Sequence, residues 1–174
     1  MTVPMMISKG CVLLWSTAFV LLLTVPADAA DFSGSVISVL DGDTIEVLHN
    51  QHPERIRLSG IDCPEKGQAY GRRAKQAASA LALGKEVTTQ THSHDKYKRT
   101  LGDMILPDGM NLNHALVKDG WCWWYRKYAP KNGELERLET EAREAKKGLW
   151  VDLAPFPRGS IAKFDAGKLS SSQM

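Results

Sequence analysis

Apolar and polar positions change period several times along the chain, and those changes predict its elements. Asp31 to Leu40 reads as a strand, with Val36, Ile37, Val39 and Leu40 supplying apolar weight. Thr44-Ile45-Glu46-Val47 and Arg55-Ile56-Arg57-Leu58 alternate with a period of two, as half-buried strands do. In the second of these, Arg55 and Arg57 share one face and Ile56 and Leu58 the other. Asp41-Gly42 is a turn signal, and His49 to Pro53 reads as a polar turn, so these three strands form a meander. The period then becomes helical. Tyr70, Ala74, Ala77, Ala78 and Leu81 recur at three- and four-residue steps, and Gly84 is the stop. Lys85 to Thr91 and Leu101 to Leu106 are two further strands, separated by the charged loop 95–99. A short helix is expected over 111–119, ended by Gly120, followed by an aromatic, extended segment from Trp121 to Tyr128. The last helix carries Leu135, Leu138, Ala142 and Ala145 as one stripe. Its outer face is charged, with Arg137–Glu141 and Glu139–Arg143 at helix-pair spacing. Five short strands with three helices make an α+β plan, and the strand spacing suits a small closed barrel.

Length and composition narrow this only a little. A chain of 174 residues holds one domain with a real core. A formal charge of +2 is too small to argue for a nucleic-acid partner on charge alone. The ends stand apart. Lys9 precedes an apolar run, Cys11 to Val25, that Pro26 ends, and Ala27-Asp28-Ala29 places small residues at cleavage positions. This pattern reads as a secretory signal peptide over residues 1–30, the alternative being an uncleaved anchor. Residues 31–150 form the domain, and residues 151–174, rich in Pro, Gly and Ser, form a flexible tail. Removal of the leader leaves Cys63 and Cys122 in an oxidising compartment, either joined or as two separate thiols.

The candidate chemistry lies between Asp41 and Arg99. Asp43 and Asp62 sit at strand ends beside tight turns, and paired carboxylates suit Ca²⁺ or Mg²⁺, because hard cations take oxygen ligands. Turn chemistry alone would also account for Asp43. Glu65 follows Pro64, which holds the preceding backbone extended, and a glutamate near a metal can take a proton from water. Arg57 and Arg99 are the cations suited to a phosphodiester under attack, since guanidinium groups bind its oxygens in pairs. Each of these residues taken singly also reads as an ordinary surface charge. Tyr97, Tyr125 and the run Trp121-Cys122-Trp123-Trp124 suit either base stacking or core packing. His92 and His94 alternate on a strand, but two ligands without a third are a weak metal signal. No glycine-rich phosphate loop or serine-nucleophile motif is present.

Three stretches taken in order, Leu40-Asp41-Gly42-Asp43-Thr44, then Arg57-Leu58-Ser59-Gly60-Ile61-Asp62-Cys63-Pro64-Glu65, then Asp95-Lys96-Tyr97-Lys98-Arg99, resemble the staphylococcal-nuclease-like (thermonuclease) family. Gly120-Trp121 and Tyr128-Ala129-Pro130 continue the likeness, which spans roughly Phe32 to Trp150. The resemblance implies a five-stranded OB-fold β-barrel with three α-helices. It also implies a Ca²⁺-dependent nuclease that cleaves DNA and RNA by in-line attack of water, leaving 3′-phosphates. Carried over by position, Asp43, Asp62 and the carbonyl of Cys63 resemble the metal ligands. Arg57 and Arg99 resemble the phosphate-binding arginines, and Glu65 the catalytic glutamate. Lys96 and Tyr97 resemble the residues that hold a terminal phosphate. Counting back from Pro130 reaches Arg126, whereas residue type selects Tyr125, with Tyr128 also nearby; Tyr125 is taken as the second substrate tyrosine. Two departures stand out: Cys63 in place of a threonine, and Lys98 where the best-known member has glycine.

The reading is therefore a monomeric periplasmic or secreted nuclease, free of the membrane once its leader is removed, acting on DNA and RNA and preferring single strands. The competing class is a catalytically silent OB-fold module that binds nucleic acid or protein; such modules keep the fold and lose the acids and arginines.

Overall fold

A computed structural model describes residues 30–151. The leader, residues 1–30, and the tail, residues 151–174, fall outside the described residues save for their innermost members. Five strands close into a barrel: β1 (Phe32–Asp41), β2 (Thr44–His49), β3 (His52–Leu58), β5 (Glu86–His94) and β6 (Thr100–Ile105), in the order β1-β2-β3-β6-β5. Neighbouring strands are antiparallel except β3 and β6, which run parallel with Ile56 opposite Thr100. The period-two pattern sets the faces. Val36, Val39, Ile45, Val47, Ile56 and Leu58 point inward and are buried. Arg55 and Arg57 share the outer face. Pro53 lacks a donor and falls on β3 before its pairing with β6 begins, where only Leu48 of β2 faces it.

The polar turn between β2 and β3 is shorter than the sequence pattern predicts. Strand pairing continues to His49 and His52, and only Asn50 and Gln51 turn, both with positive φ. Helix α1 (Gly71–Ala82) buries the alanine stripe Ala74, Ala78 and Ala82, and the chain after it rejoins β1 through Gly84 N–H to the Val36 carbonyl at 2.9 Å. Asn111 caps α2 (Leu112–Lys118) and Asn132 caps α3 (Gly133–Glu144), each accepting from a main-chain N–H two residues into its helix. Barrel and three helices together are the α+β OB-fold architecture predicted above.

Two expectations are corrected. The segment from Trp121 to Tyr128 is not extended throughout. Only Trp123–Trp124 forms a strand, β7, and it pairs with a second two-residue strand, β4 (Ile61–Asp62), so that Asp62 lies opposite Trp123. Arg126 to Tyr128 turns instead, because Tyr125 N–H bonds to the Gly60 carbonyl and the Tyr128 and Ala129 amides fold back on Tyr125. Glu139 also does not lie on the outer face of α3: it is 2% exposed. Its Oε1 accepts from Trp124 N–H at 3.1 Å and its Oε2 from Arg126 Nη2 at 2.8 Å, with Arg143 3.5 Å away. A glutamate at this position clamps β7 to α3 with a buried charge, which helical periodicity reads as solvent-facing.

Cys63 and Cys122 are joined. The bond links the end of β4 to the chain just before β7, beside the β4–β7 ladder, and so fastens the turn carrying Asp62 from two sides. The two cysteines lie 59 residues apart. Closing a loop of that length constrains the unfolded chain by about 4 kcal/mol on the chain-entropy estimate. The Cys63→Ala/Cys122→Ala variant should therefore unfold in urea at lower denaturant, with a stability lower by about 2–4 kcal/mol. A thiol titration of the purified wild type without reductant should find neither cysteine of the pair. Two reactive thiols, or an unchanged midpoint in the variant, would remove the bond from the account.

Candidate active site

The site begins at a close approach. A Cβ built on Gly42 would lie 2.8 Å from Cys63 Cβ and 3.0 Å from Ala74 Cβ. Gly42 is thus required for contact rather than for a left-handed turn, and its smallness lets the Cys63 segment pack onto the β1–β2 turn. Asp43 follows at once and is buried. Its Oδ2 accepts from Cys63 N–H at 2.8 Å and its Oδ1 from the Thr44 hydroxyl at 3.1 Å. Its carbonyl accepts from Leu58 N–H at 2.9 Å. The turn is therefore bonded both to the end of β3 and to the segment after β4.

Arg57 joins the two acids. Its Nη1 lies 2.7 Å from Asp43 Oδ2 and its Nη2 2.9 Å from Asp62 Oδ1. Nη1 is buried and has no well-directed hydrogen bond, so the contact to Asp43 is an ion pair with a donor left over. Burial pushes the Asp43 carboxyl up, against the pull of Arg57, the Cys63 amide and the Thr44 hydroxyl. Burial likewise raises Asp62 from 3.8 to about 6; Arg57 opposes this, while Asp43 and Glu65 add to it by repulsion. Four carboxylates, Asp41, Asp43, Asp62 and Glu65, thus share one neighbourhood with one guanidinium.

A cleft of about 930 Å³ opens beside this centre, lined by Arg57 and Asp62, by Lys96, Tyr97 and Arg99, and by Tyr125 and Tyr128. The loop carrying Arg99 is organised by Asp95. Oδ1 of Asp95 accepts from the amides of Tyr97 and Arg99 at 2.8 and 2.9 Å, and Oδ2 from Arg99 Nε at 2.7 Å. Desolvation would raise this carboxyl, but the Arg99 and Tyr97 hydrogen bonds outweigh it and hold Asp95 below the usual carboxylate range. Lys98 within the loop has φ of 62°, a conformation that favours glycine. Lys96 Nζ stands 4.8 Å from the centre of the exposed Tyr97 ring.

The structure therefore brings Asp43, Arg57, Asp62 and Cys63 into one cluster, and Lys96, Tyr97, Arg99 and Tyr125 around the adjoining cleft. Asp43 stands behind Arg57 rather than on the cleft wall. Glu65 is exposed on the turn leading to α1 and does not line the cleft, though its charge reaches Asp62. Gly71 holds that turn in place, since a Cβ there would overlap the Glu65 carbonyl. Tyr128, which pattern matching set aside in favour of Tyr125, shares the cleft with it; the rings meet edge-on at 4.8 Å. Four further residues line the cleft: His92, which the sequence offered only as a weak metal signal with His94, and Asp103, Asn113 and His114, to which it gave no role. The alternation of β6, which puts Asp103 on the opposite face from buried Met104, was the available signal.

Among the described residues, no three His, Cys, Asp or Glu side chains gather into a metal-holding group. The donor chemistry nonetheless fits a hard cation. Two carboxylates that meet one guanidinium, which only partly balances their charge, are oxygen donors of the kind a divalent ion takes.

An OB-fold barrel with arginine–carboxylate pairs at the edge of a tyrosine-lined cleft defines a class of phosphodiester-processing proteins. A family model described as staphylococcal nuclease homologue matches residues 55–152, more than half of the chain. A protein of Escherichia coli O157:H7 named as an uncharacterized endonuclease is 46% identical over 132 residues, covering 76% of this chain and 86% of its own. A micrococcal nuclease of Shigella flexneri is 42% identical over 146 residues, covering 79% and 83%. Protein ParB of Escherichia coli is 38% identical over 154 residues, covering 83% and 87%. The chain belongs to the staphylococcal nuclease homologue family. It is a nuclease, a phosphodiester hydrolase.

Two measurements test this electrostatic account. Asp62 has its proton affinity raised by folding, so its effect on stability is most favourable below pH 4 and is lost as pH rises through about 6. Such a displacement corresponds to at most about 3 kcal/mol, and partial solvent contact reduces it to about 1 kcal/mol. Asp62→Asn should therefore stabilise the chelator-treated protein by about 1 kcal/mol at pH 7 and leave it unchanged at pH 4, read by urea unfolding. An equal effect at both pH values would contradict the burial argument. Separately, Lys98→Gly should raise stability by about 0.5–1 kcal/mol, the relief of left-handed strain less the added freedom of the unfolded chain. A lower urea midpoint would show that the loop is not strained at this residue.

Proposed function

We propose that the protein is an exported, divalent-cation-dependent nuclease that uses Ca²⁺ and hydrolyses DNA and RNA to 3′-phosphate products, with single strands preferred. The observation carrying this reading is Arg57 held between Asp43 and Asp62 at the edge of a cleft that Arg99 also lines. Asp43, Asp62 and the Cys63 carbonyl would hold the cation, which supplies charge neutralisation to the scissile phosphate and its attacking water. Arg57 and Arg99 bind the non-bridging oxygens and stabilise the charge that grows as phosphorus becomes five-coordinate. Glu65 accepts the proton of the attacking water as the new P–O bond forms and the bond to the 5′-oxygen breaks. The leaving oxygen takes its proton from solvent. Lys96 and Tyr97 hold a neighbouring phosphate, and Tyr125 and Tyr128 stack on bases, which only a single strand or an opened end presents.

Export is supported by the leader pattern and by a disulfide, a bond that persists in oxidising compartments. Purified protein should degrade single-stranded DNA with Ca²⁺ and leave it intact with a chelator. Glu65→Gln should lower kcat by about 10²–10⁴ with little change in DNA binding. Intact DNA bound by an inactive wild type would instead support the silent OB-fold binding module.

A further inference from the structure

The cleft has a second polar centre that the phosphodiester chemistry does not use. Ser59 lies in the turn that follows β3, with its N–H bonded to the Gly102 carbonyl at 2.9 Å. With Arg57 it lines the cleft. Its hydroxyl donates to Asp103 Oδ1, which also accepts from Asn113 Nδ2 at 2.9 Å. Asn113 is itself buried and anchored: its Oδ1 accepts from Met104 N–H at 3.2 Å and its Nδ2 also reaches the Ser59 carbonyl at 3.0 Å. Oδ1 of Asp103 is thus committed to the protein. Oδ2 has His92 Nε2 at 3.5 Å, longer than an ordinary hydrogen bond, and the side chain keeps 27% of its surface exposed to the cleft.

A carboxylate in a nucleic-acid cleft repels phosphate and accepts hydrogen bonds only. Its natural ligand in a cleft that Arg57 also lines is the donor edge of a base. Guanine fits this set best. It alone places two adjacent donors, N1–H and the N2 amino group, beside an acceptor, O6, that His92 can reach as donor. The exposed Tyr97 and Tyr128 rings supply stacking surfaces in the same cleft.

We infer that Ser59, His92, Asp103 and Asn113 form a base-reading subsite that selects guanine next to the bond being cut. The inference rests on the nuclease reading for its role, but the binding it asserts is measurable without catalysis. Titration calorimetry with the four deoxynucleoside monophosphates should show deoxyguanosine monophosphate binding about tenfold tighter than the others. Asp103→Asn keeps an oxygen for Ser59 and Asn113 and turns a donor toward the cleft, and it should abolish that preference. His92→Ala, an exposed change, should weaken it partly. Equal affinities for all four nucleotides, or an ordering unchanged in Asp103→Asn, would overturn the subsite even where cleavage is intact. An affinity that follows ribose over deoxyribose regardless of base would overturn it also. Sequenced ends from a random single-stranded DNA pool cut with Ca²⁺ give the second readout. Guanine should be enriched at one fixed position in wild type and at none in Asp103→Asn. Loss of all cutting alongside selective guanine binding would count against the nuclease reading and not against the subsite.

Discussion

Arg57 is the charge around which this protein is arranged. Burial raises the proton affinity of Asp43 and Asp62, and Arg57 opposes that rise without cancelling it. One guanidinium touches both acids and holds them in place. Removing it would leave two desolvated carboxylates uncompensated, a change that costs about 3–5 kcal/mol at buried pairs. The balance is deliberately incomplete, because Asp41 and Glu65 add negative charge nearby. Four carboxylates against one guanidinium leave the neighbourhood short of positive charge, an imbalance that the proposed cation would offset.

Around that charge the scaffold is fastened more firmly than a barrel rim requires. The Cys63 amide holds Asp43, the Cys63 sulfur holds Cys122, and the Asp62 backbone pairs with Trp123. Trp124 is in turn held by Glu139 of α3. A shift of α3 would therefore reach the acids through two hydrogen bonds and one covalent bond. Such bracing suits chemistry that depends on fixed geometry, since preorganised groups need not reorganise as charge develops. The Arg99 loop is braced differently, by one carboxylate, Asp95, gathering three donors from the loop it begins. That arrangement is local and solvent-facing, and it leaves Tyr97 and Lys96 exposed to meet substrate.

The cleft divides into a cationic part and an acceptor part. Arg57, Arg99 and Lys96 suit the backbone of a nucleic acid, which carries charge but no sequence. The Ser59–Asp103–Asn113 network suits a base edge, which carries sequence but no charge. The two parts come from different elements: Arg57 from β3, Lys96 and Arg99 from the loop before β6, Asp103 from β6 and Asn113 from α2, so their spacing is set by how these elements pack.

Much of this was legible in the chain itself. Period-two alternation placed β2 and β3 and put Arg57 on the face away from the core, because a strand leaves its side chains no other choice. Helical periodicity and the glycine stops Gly84 and Gly120 placed the helices. The motif order around Asp43, Asp62, Glu65 and Arg99 named the family. What the chain alone could not give depended on residues far apart meeting. Gly42 reads as a turn residue, yet it is small because Cys63 and Ala74 press on it. Glu139 reads as a surface acid, yet its partners are Trp124 and Arg126 across a helix–strand contact. Two-residue strands have no period to detect, so β4 and β7 follow from the folded path alone; that path also joins Cys63 to Cys122, the pairing that the chain suggested beside the alternative of separate thiols. Asp103 becomes a candidate ligand only once β6, β3 and α2 enclose it. Local pattern determined which elements form and which way they face; long-range packing decided which polar groups share a space, and hence what the cleft can recognise.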